Sequence, residues 1–387
     1  MWYFNSPRIV FGEDALTHLA ELKGRQAFIV TDATMHKLGF TDKVAQTLAQ
    51  ANIPCAVFAE VEPEPSLQTV RRAAEAMHAS PPDWVIGLGG GSAIDAAKAA
   101  WLIYERPDLS PESINPFDNF GLRAKARLIA IPTTSGTGSE VTWATVLTDT
   151  EAQRKLALAA RELLPDLAIV DPLFVMSLPP TLTADTGLDA LTHAVEGYAS
   201  AWRNDFSDGM CLKAIQLIFT HLPRAVADGA DKEAREHMHN AATIAGLGFG
   251  NSMTGLAHAM GHAIGALFHI PHGQAVSLCL PFTMEFTANA GGSRYYEIAR
   301  FLHLPAHNDL EGAISLIAAI RALRHKLGRP ATLRNVGVEA VAFYDAMPQL
   351  LANAETDTDM VASPRLPSTE ELKRLFECVY DGLKVEF

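Results

Sequence analysis

The sequence predicts a two-domain chain: a doubly wound parallel α/β domain over residues 1–180, then an all-helical domain over residues 181–387. Three observations carry this. Short β-branched runs alternate with helical patterns through the first part of the chain, the order that builds a parallel sheet covered on both faces. The paired prolines of Ser177-Leu178-Pro179-Pro180 interrupt that alternation and mark a boundary. Beyond them the chain reads as helix after helix, rich in Ala and Leu, with no convincing strand.

Taken in order, strands are expected at Ala27-Phe28-Ile29-Val30, Ala56-Val57-Phe58, Trp84-Val85-Ile86-Gly87-Leu88, Leu128-Ile129-Ala130-Ile131 and Leu167-Ala168-Ile169-Val170. Their nearly all-apolar character suits strands buried on both faces. Helices are expected near residues 39–52 and 67–79, and from Ala93 to Tyr104. The apolar stretch from Ala241 to Leu267 contains histidines, an asparagine and many glycines, so it reads as buried helix and not as a membrane span. The polar, acidic stretch from Asn353 to Met360 reads as a solvated loop.

Composition narrows the function classes. With 31 Lys and Arg against 44 Asp and Glu, the formal charge is −13. That balance argues against wrapping nucleic acid or coating an anionic membrane. Cys55, Cys211, Cys279 and Cys378 lie far apart with no CxxC pair, which suits a reducing compartment. The first residues show no secretory pattern, so the expected location is the cytoplasm.

Two loops point to a nucleotide. Gly87-Leu88-Gly89-Gly90-Gly91-Ser92-Ala93-Ile94-Asp95 follows an expected strand and opens an expected helix. Glycines there let backbone approach a phosphate, and a helix N-terminus supplies N–H donors and partial positive charge. The stretch from Pro132 to Glu140, rich in Thr, Ser and Gly, follows the next strand and forms a second hydrogen-bonding wall. Thr31-Asp32 ends the first clear strand; an acid there can hold a ribose hydroxyl and repel a 2′-phosphate, or simply cap a turn.

Two histidine segments point to a metal. Asp189 and His193 are four residues apart on an expected helix, and His258 and His262 repeat the spacing, so each pair shares a helix face. His272 follows in Ile270-Pro271-His272-Gly273. Burying so many polar groups on small-residue segments costs several kcal/mol unless something satisfies them, and a divalent cation would. A carboxylate with imidazoles suits Fe²⁺, Zn²⁺, Mn²⁺, Co²⁺ or Ni²⁺ without choosing among them. His237 and His239 fall in a charged stretch and read as surface; His269 lies close enough to support a ligand.

Together these segments resemble the iron-containing (metal-dependent, group III) alcohol dehydrogenase family, through nearly the whole chain. The likeness rests on Gly89 to Asp95, Pro132 to Glu140, Val170-Asp171-Pro172, Leu178-Pro179-Pro180, Gly187 to Glu196, the histidine segment 258–273 and Ser363-Pro364-Arg365. One departure is Pro63-Glu64-Pro65, where family members often read Pro-Asn-Pro near the adenosine. The resemblance implies a Rossmann-like domain followed by a helical one, the plan shared with dehydroquinate synthase, with the active site in the cleft between them. It implies metal ligation by Asp189, His193, His258 and His272, with Fe²⁺ first among the candidates and Zn²⁺ or another ion as alternatives. It implies NAD, or NADP, held by Asp32, Gly89, Gly90, Gly91, Ser92, Asp95, Thr133, Thr134, Thr142 and Lys155, with the acid at Asp32 favouring NAD. His262 would lie near nicotinamide and substrate and relay the proton.

The implied reaction is hydride transfer between a small alcohol or aldehyde and the nicotinamide. The alcohol oxygen would take the open position on the metal, which lowers its pKa. Phe249, Phe268, Trp143 and residues near Met253 would give an apolar pocket. No nucleic-acid or membrane partner is expected. A homodimer or higher homo-oligomer is, with the segment Trp2 to Phe11 pairing across the subunit interface. Two other readings stand beside this one. A dehydroquinate synthase-like cyclase would need basic residues next to the metal ligands and would yield no net NADH. A non-catalytic metal- or nucleotide-binding protein would show no alcohol-dependent turnover.

Overall fold

The computed structural model describes residues 3–151 and 154–387. Among these are the strands β1 (Arg8–Phe11), β2 (Ala27–Thr31), β3 (Cys55–Phe58), β4 (Trp84–Gly89), β5 (Arg127–Pro132), β6 (Ala144–Asp149), β7 (Arg154–Ala159) and β8 (Leu167–Val170). Six form one parallel sheet in the order β1-β8-β5-β4-β2-β3, and β6 and β7 form an antiparallel hairpin. The period of two along β2 and β4 explains why both faces are apolar. Phe28, Val30 and Val85 enter one core with Trp101, whereas Ala27, Ile29, Ile86 and Leu88 enter the other with Phe40 and Phe174. Helices α1 (Ala33–Lys37), α2 (Phe40–Gln50), α3 (Leu67–Ala79) and α4 (Gly91–Glu105) complete this unit.

The chain leaves β2 for β3 on one side and returns to β4 on the other. A crevice opens at such a reversal, at the carboxyl ends of the strands. Those ends carry Asp32, the glycine run and, from the neighbouring β5, Thr133 and Thr134.

The second compact unit runs from Leu178 to Phe387, the division falling three residues ahead of 180. Its helices are α5 (Pro180–Ala199), α6 (Asp205–Ala227), α7 (Lys232–Phe249), α8 (Leu256–Phe268), α9 (His272–Asn289), α10 (Tyr295–Phe301), α11 (Asp309–Lys326), α12 (Leu333–Val336), α13 (Ala340–Glu355) and α14 (Thr369–Asp381). Pro180 is the first residue of α5, where a missing N–H is no loss, so the paired prolines open a helix as well as end the preceding pattern. One core, built from α5 to α9 and sealed by α11, α13 and α14, fills this unit.

The edge strand β1 lies parallel to β8, from Arg8 opposite Leu167 to Phe11 opposite Val170. Three expectations need correction. The apolar stretch 241–267 is two helices, broken between Phe249 and Leu256 by a loop in which Met253 has φ 69°. His239 is buried, because the α7 face that carries it packs inward despite the charged residues around it. The acidic stretch 353–360 is the end of α13 followed by a 3-10 turn, Thr358–Ala362, with two of its carboxylates turned inward. No helix among the described residues is long and apolar enough to cross a membrane.

Candidate functional site

The nucleotide side is built first. β4 ends at Gly89, whose φ of 151° favours glycine and where a Cβ would sit 2.6 Å from that of Ala93. The chain can therefore turn at once into α4, with Gly90 as N-cap and Gly91 and Ser92 in the first turn. A helix leaves its first N–H groups without intrahelical acceptors, the usual seat for a phosphate. The threonine loop lies against this turn. Thr133 N–H donates to the Gly89 carbonyl at 3.0 Å, and Cβ atoms on Gly90 and Gly91 would lie 3.4 Å and 3.0 Å from Thr134 and Thr137. Thr133 and Thr142 are buried.

Asp32 caps α1, its Oδ1 accepting from Thr34 and Met35, while its Oδ2 lies 3.4 Å from where a Gly89 Cβ would be. One oxygen caps and the other faces the glycine turn. The Ser92 hydroxyl accepts from the Glu64 N–H at 3.3 Å, which brings the variant Pro63-Glu64-Pro65 segment onto the loop. The Asp95 carboxylate accepts from Ser139 Oγ at 2.5 Å and from Val146 N–H at 2.8 Å, so it ties α4 to the threonine loop and to β6. Fully buried Lys98 completes the tie, donating to Ser139 Oγ and to the Ala144 carbonyl. Burial pushes its ammonium down to about 8, against the pull of Asp95 and Glu140. Lys155 lies on β7 opposite Thr148, and its side chain is outside the described residues.

The cation side lies wholly in the second unit. Helix α5 carries Asp189 and His193, α8 carries His258, and α9 opens on His272 with Pro271 as its N-cap. The four side chains converge, one ligand atom of each lying within 4.8 Å of the others. Asp189 Oδ1 stands 3.9, 3.8 and 3.4 Å from the Nε2 atoms of His193, His258 and His272. Asp189 Oδ1 and His258 Nε2 are buried without a hydrogen-bond partner. Four donors aimed at one point, three nitrogens and one oxygen with two of them orphaned, fit a divalent cation of the zinc or iron type. Burial favours neutral Asp189, but the facing histidines outweigh it and hold the carboxyl well below its ordinary value. Burial pushes His193 and His258 down to about 3. An ionised carboxylate among neutral imidazoles is the state a cation needs. The His272 side chain is 37% exposed and those of the other three 6% or less, so the cluster opens on the His272 side.

Three features escaped the sequence reading. Glu196, the next acidic position on the inward face of α5, bonds His258 Nδ1 at 2.5 Å. Burial pushes its carboxyl up to about 7, with the N–H groups of Ala257 and Gly255 pulling the other way. Asp357, from the supposed solvated loop, bonds His262 Nδ1 at 2.8 Å, and Asp359 lies 3.9 Å from the same atom. Burial opposes ionisation of both; the His262 bond overrides it at Asp357 and not at Asp359, which is pushed up. Finally, Asp185, one turn before Asp189, pairs with Arg329, which also donates to Gln274 beside His272. His262 stacks on His272 at 5.2 Å, and Phe249 stacks on His193 at 4.1 Å. His269 is exposed and ends α8 in the left-handed conformation, away from the cluster's hydrogen bonds.

The buried histidines set an acid limit. His193, His258 and His239, near 3 when folded and 6.5 when unfolded, take up protons on unfolding between those values. Their contribution to stability is complete above about pH 6.5 and is lost as pH falls towards 3. Glu196, raised when folded, offsets one of the three between about 7 and 4.5. Metal-free protein should therefore lose roughly 2–3 kcal/mol per pH unit below pH 6.5, at about 1.4 kcal/mol per proton and pH unit. Urea unfolding of chelator-treated protein at pH 6.5 and 5.5 reads this; equal midpoints would contradict it.

Comparison with known proteins covers both units. The model of the iron-containing alcohol dehydrogenases matches residues 6–172, and that of the C-terminal region of the Fe-containing alcohol dehydrogenase family matches residues 183–380. The NADPH-dependent butanol dehydrogenase of Clostridium saccharobutylicum is 41% identical over 390 residues, covering all of both chains. Aldehyde-alcohol dehydrogenase 2 of Entamoeba histolytica is 37% identical over 98% of this chain, which spans only 46% of that longer protein. The crystal structure of a 1,3-propanediol oxidoreductase superposes with a TM-score of 0.92 at 34% identity, covering 98% of this chain and all of that one.

Proposed function

We propose that this chain, which belongs to the iron-containing alcohol dehydrogenase family, interconverts small alcohols and aldehydes with NAD and one divalent cation held by Asp189, His193, His258 and His272. The observation that carries the reading is the convergence of four donors, three of them buried and two of them orphaned, on one point. A cation held there, Fe²⁺ first and Zn²⁺ or another ion as alternatives, supplies Lewis-acid chemistry that polarises a carbonyl or acidifies an alcohol.

The chain's own residues supply the rest. The α4 N-terminus and the threonine loop fix the pyrophosphate, and so the position of the hydride acceptor, which is an orientation effect. Asp32 Oδ2, on the glycine-turn side, is placed to accept from a ribose hydroxyl and to repel a 2′-phosphate. That favours NAD, although the butanol dehydrogenase relative is NADPH-dependent by name. Asp357 accepts the Nδ1 proton of His262, which leaves Nε2 to exchange the alcohol proton with solvent. Phe249, stacked on His193, walls the cluster with an apolar face and favours small aliphatic or aromatic substrates. The reading extends to a homodimer, with the unpaired edge of β1 as a pairing surface, and to the cytoplasm, where four free thiols are at home.

A single preparation tests this. Protein stripped with chelator, reloaded anaerobically with Fe²⁺ or Zn²⁺ and given NAD or NADP with a panel of alcohols and aldehydes should turn over only with metal and faster with NAD. Sedimentation velocity on the same sample should show a dimer. Stoichiometric metal binding without turnover on any substrate would overturn the assignment.

A further inference from the structure

Glu196 is fixed by backbone groups that can only donate. Its Oε1 accepts from Ala257 N–H at 2.6 Å, and the N–H groups of Gly255 and His258 also point to the carboxylate. These belong to the first turn of α8, whose own N-cap, Gly255, has no side chain to offer. A carboxyl group from α5 thus caps the helix that carries His258, and its Oε2 faces His258 Nδ1 at 2.5 Å. With Nδ1 as donor, the lone pair of a neutral ring lies on Nε2, the atom that faces Asp189.

We infer that Glu196 is a positioning residue that sets the tautomer of His258, and that the cluster binds a cation only because this carboxylate keeps the proton off Nε2. The inference rests on the proposed cation reading of the four-donor cluster.

The structure makes a counter-intuitive distinction between two substitutions. In E196Q the amide nitrogen must replace one oxygen. Set against Ala257 N–H it would meet a donor that has no alternative. Set against His258 Nδ1 it can be accommodated if the ring moves its proton to Nε2. The conservative variant therefore holds His258 in the form that cannot ligate. E196A loses the cap but leaves the ring free to choose its tautomer.

With Co²⁺ as probe, competition against a chelator should show E196Q binding about 100-fold more weakly than wild type, the upper end for residues behind a ligand, and more weakly than E196A. A merely structural cap predicts the reverse order, and that order, or E196Q within threefold of wild type, would overturn the inference. Ring-¹⁵N-labelled wild-type protein without metal gives an answer that does not depend on either variant folding. The histidine signal missing from H258N should carry its proton on Nδ1; a proton on Nε2 refutes the proposal. Failure of wild-type protein to bind Co²⁺ at all would instead overturn the cation reading, and the nitrogen spectrum would still decide the tautomer.

Discussion

Asp189→Asn is expected to abolish metal retention and to lower kcat/KM by at least about 10³-fold, ~4 kcal/mol in transition-state terms. Asp189 is the one anionic donor of the cluster, and its Oδ1 lies within 3.9 Å of three imidazole nitrogens. The substitution is isosteric, so the loss comes from charge and not from shape. The fold holds the Asp189 carboxyl below its ordinary value, so the substitution should also cost the metal-free protein stability. His272→Ala should lose metal equally, but for want of a ligand on the open side of the cluster. Metal content after gel filtration, steady-state kinetics and melting with and without chelator separate these effects. Full activity with bound metal in either variant would sink the ligand assignment.

Gly261→Ala is the second large effect. Helix propensity alone favours alanine by about 1 kcal/mol. Here the added Cβ would lie 2.6 Å from Val276 Cγ1, 2.7 Å from Val276 Cα and 2.9 Å from Val276 N. A side chain can rotate away, but the α9 backbone cannot, so α8 and α9 must part. Those helices carry His258 and His272. The expected cost is about 1–3 kcal/mol of overpacking, together with weakened cation binding. Gly209 on α6 is the control, since a Cβ there meets nothing within 4 Å and alanine should be neutral or stabilising. Urea unfolding of both variants without metal decides it; equal stability would show that the helix pair yields more easily than its geometry implies.

Much of this was legible in the sequence where period and chemistry coincide. The all-apolar strands β2, β4, β5 and β8 announce a doubly covered sheet, and four-residue spacings place Asp189 with His193 and His258 with His262. β6 and β7 were not read because a half-exposed hairpin between two buried strands looks like a connector. Glu196 could have been found, since it continues the inward face of α5 that begins at Asp185. Asp357 could not. Its partner lies 95 positions earlier, and only the packing of α13 against α8 turns an acidic, loop-like stretch onto His262. The ties made by Asp95 are equally hidden: its partners, Ser139 and Val146, come from segments whose placement no local pattern reveals.

The division of the chain also has a schedule. The sheet of the first unit is complete at Val170, and its glycine and threonine loops earlier still, before the first cation donor at Asp189 has been polymerised. At about 5–20 residues per second, a ribosome needs roughly 4–17 s more to reach His272, and longer to reach Asp357. On the proposed reading, a nascent chain can therefore own a dinucleotide seat while it has no place for a metal, and ion capture would be a late step in biogenesis, confined to the second unit and sensitive to the supply of metal when synthesis ends.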